Sequence, residues 1–247
     1  MKWLSWEELP DIMRIPEVRP YYDALSKKRA SLLAKRVFDV VMSVAVFALT
    51  WWVFIVLAIA IKIESPGPVF YRQTRITQYG KEFRIFKFRT MVQNSDMVGS
   101  SVTTSGDSRV TRVGSVIRKF RLDEFSQLID VLRGTMTFVG TRPEVPKYVG
   151  HYSSEMMATL LLPAGVTSTA SIHYKDEARL LDAAKDVDSI YAERVLPGKM
   201  AYNLKDIKEY SFFRDIEIMI ETVGAVLDIN AEEANLSKEC AFKEPME

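Results

Sequence analysis

Cysteine is nearly absent from this chain: Cys240 is the only one in 247 residues. A lone thiol excludes an intramolecular disulfide and any zinc site built on several cysteines. Histidine is almost as scarce, and His151 and His173 cannot form an HExxH metal helix. Net charge is missing too. The 33 Lys and Arg against 32 Asp and Glu leave +1, which argues against a strongly basic nucleic-acid binder. No P-loop, GxGxxG or GxSxG occurs. With 48% hydrophobic and 26% charged residues the chain is not disordered or low in complexity. Its length suits one large domain or two small ones.

The longest local absence is of charge. Residues 40–61 (VVMSVAVFALTWWVFIVLAIAI) carry no charge, proline or glycine. About 20 apolar residues cross a bilayer, and a buried core helix rarely stays apolar on every face for so long. A cleaved signal peptide does not fit, because the run starts 40 residues in and exceeds the usual apolar region of one. Basic residues flank both ends: Lys27, Lys28, Arg29, Lys35 and Arg36 before it, Lys62, Arg72 and Arg75 after it. Both ends therefore favour the cytoplasmic side. A re-entrant helix satisfies that; a simple span does not. Trp51 and Trp52 at the middle are awkward for a straight span, and the Thr50 hydroxyl can bond a carbonyl one turn back. From the residues alone, spanning and re-entrant readings stay open.

Residues 1–34 read as an N-terminal arm with Trp3, Leu4, Trp6 and Leu9 as interfacial anchors, and 35–64 as the membrane helix. Residues 65–227 would form a small catalytic domain, followed by an acidic, mobile tail at 228–247. Within the domain, 69–72 and 83–88 predict a β-hairpin turning at Tyr79-Gly80. Residues 92–108 predict a loop and 113–120 a short basic helix. Leu122, Phe125, Leu128, Ile129 and Leu132 recur at helical spacing up to Gly134. Residues 153–162 predict an amphipathic helix ended by Pro163, and 190–210 a helix interrupted at Pro197-Gly198. Residues 212–227 have the wide apolar face of an interfacial helix.

Charge is unevenly spread. Twelve basic residues face four acidic ones between Lys62 and Arg121. Such a block suits anionic lipid headgroups or phosphate handling. Asp123 and Glu124 sit inside it, flanked by Arg118 and Arg121, with Arg142 in the later Gly140–Pro143 turn. An acidic pair at a helix start is ordinarily a dipole partner. Among arginines, however, Asp123 should have a lowered pKa and stay ionised. Such a carboxylate can attack phosphorus, and its neighbour can hold Mg2+. Asp186-Val187-Asp188 matches the DxD of metal-dependent glycosyltransferases, but a three-residue acidic pattern is common and no buried strand precedes it. His151 and His173 read as surface or packing residues, and Met156-Met157 as core or membrane-facing.

Several segments together resemble one family. They are Lys35-Arg36-Val37-Phe38-Asp39, Ser65-Pro66-Gly67-Pro68-Val69-Phe70, Phe86-Lys87-Phe88-Arg89-Thr90-Met91, the run RKFRLDEFSQLIDVLRG from Arg118 to Gly134, and Met136 to Glu144. In this order they resemble the bacterial sugar transferases that act on polyprenyl phosphate, the small monotopic phosphoglycosyl transferases. The resemblance implies a mixed α/β, mainly helical fold with a re-entrant membrane helix and interfacial amphipathic helices. It implies an active site on the cytoplasmic face of the bacterial inner membrane. It implies Asp123 as nucleophile, Glu124 as the Mg2+ ligand beside it, and Lys87, Arg89, Arg118 and Arg142 as phosphate-binding residues. The implied partners are a nucleoside diphosphate sugar, undecaprenyl phosphate and membrane lipid, with UMP released and no nucleic acid bound; a homodimer is compatible with the apolar helices. The chain departs from the family at Thr50-Trp51-Trp52, where Ser-Pro is common, at Thr141, where proline is common, and along residues 168–174. No particular sugar is therefore transferred. Two other readings stand beside this one: a non-catalytic membrane adaptor using the basic block, and a glycosyltransferase working through Asp186 and Asp188.

Overall fold

The computed structural model describes residues 3–93, 107–175, 177 and 186–226. Most of the expected 92–108 loop and the acidic tail lie outside the described residues. The fold is mixed α/β and mostly helical. Helix α1 (Arg19–Ser26) leads into α2 (Arg29–Glu64), then the hairpin β1 (Phe70–Ile76) and β2 (Glu82–Phe88). There follow α3 (Arg112–Lys119), a 3-10 turn (Leu122–Gln127), α4 (Leu128–Arg133), β3 (Met136–Val139) and α5 (Pro146–Val149). The chain continues through a second 3-10 segment (Glu155–Leu161), β4 (Ala164–Thr167), α6 (Thr169–His173), α7 (Val187–Ile190), α8 (Leu196–Lys208) and α9 (Phe212–Val226).

Helix α2 runs 36 residues without a break at Thr50-Trp51-Trp52, about 54 Å at 1.5 Å per residue. It is the one helix among the described residues long and apolar enough to cross a membrane, and only 11% of its most apolar stretch is buried. It is therefore not the core helix of a soluble body. Thr50 does bond one turn back, its Oγ1 donating to the Val46 carbonyl at 2.5 Å, and the Trp52 indole donates to the Leu49 carbonyl at 3.1 Å.

Both ends of α2 are fastened to the same body. Near the start, the Lys35 ammonium donates to the Val139 carbonyl at 2.7 Å and to Asp215 of α9 at 2.6 Å. Asp39 accepts from the Thr137 hydroxyl and the Phe138 N–H of β3. Arg36 caps the end of α4 through the Val131 and Leu132 carbonyls. At the far end, Leu57 and Ile61 pack with Phe88 and Ile117, while Glu64 accepts from the Val113 N–H at the start of α3.

The main core does not begin after the membrane helix. Leu9, Met13, Val18 and Leu25 are buried in one cluster with Leu161, Leu196 and Met200, and Trp3, Leu4 and Trp6 pack against it. The expectation of interfacial anchors in the arm is thus corrected: these apolar residues cover the C-terminal helices, each buried aliphatic side chain contributing about 1.5–3 kcal/mol. Residues 153–162 differ as well. The segment is 3-10 rather than α, and Ala158 to Leu161 are buried, so it is core rather than amphipathic surface. The interruption expected at Pro197-Gly198 lies one turn earlier, as a π-turn at Tyr191–Val195. Pro197 has no N–H to offer a carbonyl four residues back, and the turn before it widens.

The hairpin pairs Tyr71 with Lys87 and Phe70 with Phe88, and it reverses through positive φ at Tyr79 and Gly80. Strands β3 and β4 pair in parallel. At their C-terminal end Gly165 lies so close to Gly140 that a Cβ on it would stand 2.1 Å from the Gly140 carbonyl oxygen. This contact sets the direction of the Thr141-Arg142 loop.

Lys35→Met removes one partner of a buried pair and leaves Asp215 uncompensated. The expected cost is about 3 kcal/mol, read from denaturant unfolding in detergent. A loss below about 1 kcal/mol would show that the clamp on α2 is not made through this pair.

Candidate active site

A cleft of about 1230 Å³ opens between the hairpin, the Leu122–Gln127 turn, the loop after β3 and the C-terminal helices. Its entrance to the dyad is set by Arg121, which holds a left-handed φ of 55° between α3 and the 3-10 turn. A non-glycine residue there costs roughly 1 kcal/mol. The reversal places Asp123 and Glu124 in the first turn of the 3-10 segment, lining the cleft.

The two carboxylates are treated differently. Arg142 forks onto Glu124, with Nη1 3.0 Å from Oε2 and Nη2 on Oε1. The Lys87 ammonium lies 3.3 Å from the same Oε1. Burial opposes charge on Glu124, but Arg142 and Lys87 outweigh it and hold the carboxyl far below its ordinary range. Arg142 is in turn raised by Glu124, and burial presses Lys87 below its usual value while Glu124 opposes. The Asp123 carboxylate makes no hydrogen bond or ion pair among the described residues. Burial raises its pKa above 3.8, with the Glu124 charge acting in the same sense and Lys87, Arg118 and Arg142 opposing. The lowering expected for Asp123 is thus reversed, and a lowering is found instead at its neighbour Glu124. The Arg142 fork reaches one carboxylate, and the other is left with the cost of burial.

Lys87, Asp123, Glu124 and Arg142 converge as their sequence context suggested. Arg118 also lines the cleft, and its guanidinium makes no side-chain hydrogen bond among the described residues. Arg89 lines the cleft as well, but its guanidinium is engaged at the edge of it. It is 6% exposed, and its guanidinium donates to the Ser65 and Pro66 carbonyls and to the Ser65 hydroxyl. It fastens the turn between α2 and β1.

Sequence reasoning missed Arg75, Glu144, Tyr191, Glu177 and Lys199, all lining the cleft. Arg75 stands four residues after Tyr71, on the strand face that Lys87 shares. It donates to the Pro143 carbonyl at 3.0 Å, bracing the loop that carries Arg142. That period-two spacing was a usable signal; the helix-borne Tyr191 and Lys199 gave none. Asp186-Val187-Asp188 is structural. Asp186 caps α7 by accepting from Ser189 N–H, and Asp188 pairs with Lys147 and the Tyr148 hydroxyl. His173 stacks on Tyr202 at 4.5 Å. Met156 and Met157 pack against the main core.

No group of three His, Cys, Asp or Glu side chains lies together among the described residues, so these residues alone form no complete metal cage. The donor set still fits Mg2+, which takes one or two carboxylates and fills its shell with water and phosphate oxygens. Asp123 has open lone pairs, and Glu124 stands beside it.

Comparison with known proteins identifies the family. The model of the family described as bacterial sugar transferase matches residues 30–229, and the chain belongs to that family. It is 36% identical to a UDP-glucose:undecaprenyl-phosphate glucose-1-phosphate transferase of Caulobacter vibrioides, over 79% of this chain and 70% of the relative. It is 35% identical to a UDP-N-acetylgalactosamine-undecaprenyl-phosphate N-acetylgalactosaminephosphotransferase of Aeromonas hydrophila, over 78% of this chain and 43% of that protein. It is 31% identical to the exopolysaccharide production protein ExoY of Rhizobium meliloti, over 78% and 85%. The chain thus spans less than half the length of the Aeromonas relative.

Acid titration should protonate Asp123 before Glu124. In infrared difference spectra, Asp123→Asn should remove a carboxyl component titrating above 3.8, and Glu124→Gln should keep that component but move it to lower pH. The reverse assignment would overturn the division of the dyad.

Proposed function

We propose that the protein moves a sugar-1-phosphate from a UDP-sugar to undecaprenyl phosphate and releases UMP, as the first membrane step of a bacterial surface glycan. The observation that carries this reading is the pairing of two unlike carboxylates in one cationic cleft. Glu124 is neutralised by Arg142 and Lys87, and Asp123 is left open. An unpaired carboxylate is a nucleophile, and surrounding cations let it approach an anionic diphosphate. An Asp123 oxygen attacks the sugar-linked phosphorus; the bond to the UMP oxygen breaks, and UMP leaves with the electron pair. An oxygen of undecaprenyl phosphate then attacks the same phosphorus and frees Asp123. Arg142, Lys87 and Arg118 hold the phosphate oxygens. Mg2+, held by Glu124 and Asp123 with the substrate, would neutralise charge that builds on those oxygens.

Membrane geometry supports the acceptor. Val46 of α2 lines the cleft together with Phe125, Phe138 and Ala225, so an apolar wall runs from the membrane helix to the dyad. We place the protein on the cytoplasmic face of the inner membrane, with α2 entering from that side. Asp39 and Glu64 are both bound to one body, yet about 37 Å of helix at 1.5 Å per residue separates them. That exceeds the roughly 30 Å hydrocarbon core. A helix crossing to the far side would tear one attachment from the body, whereas an unbroken α2 that stays with the body on the side it enters from keeps both. Exposed Val116 and Phe120 on α3, and Phe213, Ile220 and Val223 on α9, suit an interfacial seat.

With Mg2+, undecaprenyl phosphate and a UDP-sugar panel, the wild type should form UMP. Asp123→Asn should lower that rate at least about 10³-fold. UDP as product would sink the mechanism, and folded protein that forms neither nucleotide would favour the adaptor. The acid limb of kcat/KM should lie above 3.8, because proton uptake by Asp123 removes the nucleophile. Lys87→Met should move that limb to higher pH, since Lys87 favours the ionised form.

A further inference from the structure

The cleft holds two electrostatic environments. Around Asp123 and Glu124 the cations Lys87, Arg118, Arg121 and Arg142 act on two carboxylates. Further in, Glu144 and Glu177 face Lys199 and Arg75, and charge balances. The Lys199 ammonium lies 3.0 Å from Glu177 Oε2, 3.0 Å from the Tyr191 hydroxyl and 3.7 Å from Glu144 Oε1. The Tyr191 hydroxyl donates to the same Glu144 oxygen at 2.6 Å. Two ammonium protons thus have hydrogen-bond acceptors, and the charge also pairs with Glu144. Lys199, Tyr191 and Glu144 are buried, while the Glu177 side chain keeps 30% of its surface.

We propose that this inner end seats the sugar ring of the donor, with Glu177 accepting from a ring hydroxyl and the Lys199–Tyr191–Glu144 chain holding Glu177 in place. The inference rests on the phosphotransfer reading above and adds where the sugar lies. A phosphate placed here would meet two carboxylates whose charge already occupies Lys199, with no net positive charge to attract it. A hydroxyl supplies the donor that a carboxylate needs. The nucleotide, which carries the other phosphate, is left to the arginine-rich end. Shape agrees with a defined seat. Tyr174 lines this end, and its hydroxyl rests on α8 where a Cβ at Gly198 would stand only 2.1 Å away. Arg142, beside the dyad, also feels the Glu177 charge, so sugar-linked phosphate on Arg142 places the attached ring next to Glu177.

The experiment compares binding of UDP with binding of UDP-glucose, UDP-galactose and their N-acetylamino counterparts. It uses calorimetry on the full chain in lipid nanodiscs, with UMP release assayed in parallel. Glu177→Gln keeps shape and loses charge; Lys199→Met breaks the support. Glu177→Gln should weaken the best-bound UDP-sugar about tenfold and leave UDP affinity unchanged. Lys199→Met should do the same wherever it folds, and Lys199→Arg should restore part of the loss. Equal weakening of UDP and UDP-sugar would assign this end to the nucleotide and overturn the proposal. No change in either would also overturn it, while wild-type UMP release leaves the function standing. A wild type that binds neither UDP nor any UDP-sugar would sink the function and the proposal together.

Discussion

The forked ion pair between Arg142 and Glu124 organises the catalytic half of this protein. It joins a turn that follows α3 to a loop that follows β3, elements with no other reason to meet at that point. Each brings a charge that burial alone would make costly. Together they create a neutral base on which Asp123 can stand open. The supports around the pair follow from that need. Arg75 braces the Pro143 carbonyl, the Gly140–Gly165 contact aims the loop, and strained Arg121 turns the dyad inward.

Helix α2 is a second organising element, and it is part of the body rather than a tether. Its first half carries Lys35, Arg36 and Asp39 into β3, α4 and α9. Its last turns join β2 and α3. The membrane-facing residues lie between and beside these attachments. The position of the helix and the position of the dyad are therefore mechanically coupled.

Much of this was legible in the residues. The hairpin followed from alternating strands around Tyr79-Gly80, and the dyad from two acids set among arginines. The bland reading of Asp186 and Asp188 also held. Other features depended on three-dimensional partners. Trp3, Leu4 and Trp6 suit a bilayer surface and a protein core equally, and only the presence of Leu196 and Met200 opposite decides between them. Arg89 looked like its neighbour Lys87, yet two backbone carbonyls and a serine take up its guanidinium. Which acid of the dyad Arg142 would reach could not be read from adjacency, so the Asp123 shift was assigned the wrong sign. Lys199 and Glu177 look like ordinary helix charges until Tyr191 and Glu144 are placed beside them.

The clamp at Lys35 also orders the making of the protein. Its partners lie 104 and 180 residues downstream, at Val139 and Asp215. The ribosome therefore delivers the membrane helix long before anything can satisfy its buried ammonium. Asp39 waits similarly for Thr137 and Phe138. Through most of synthesis these groups on the first half of α2 are without the partners they have in the folded chain. The helix reaches its final seat only when α9, the last described element, closes over it. Its seating is thus completed from the C-terminal side.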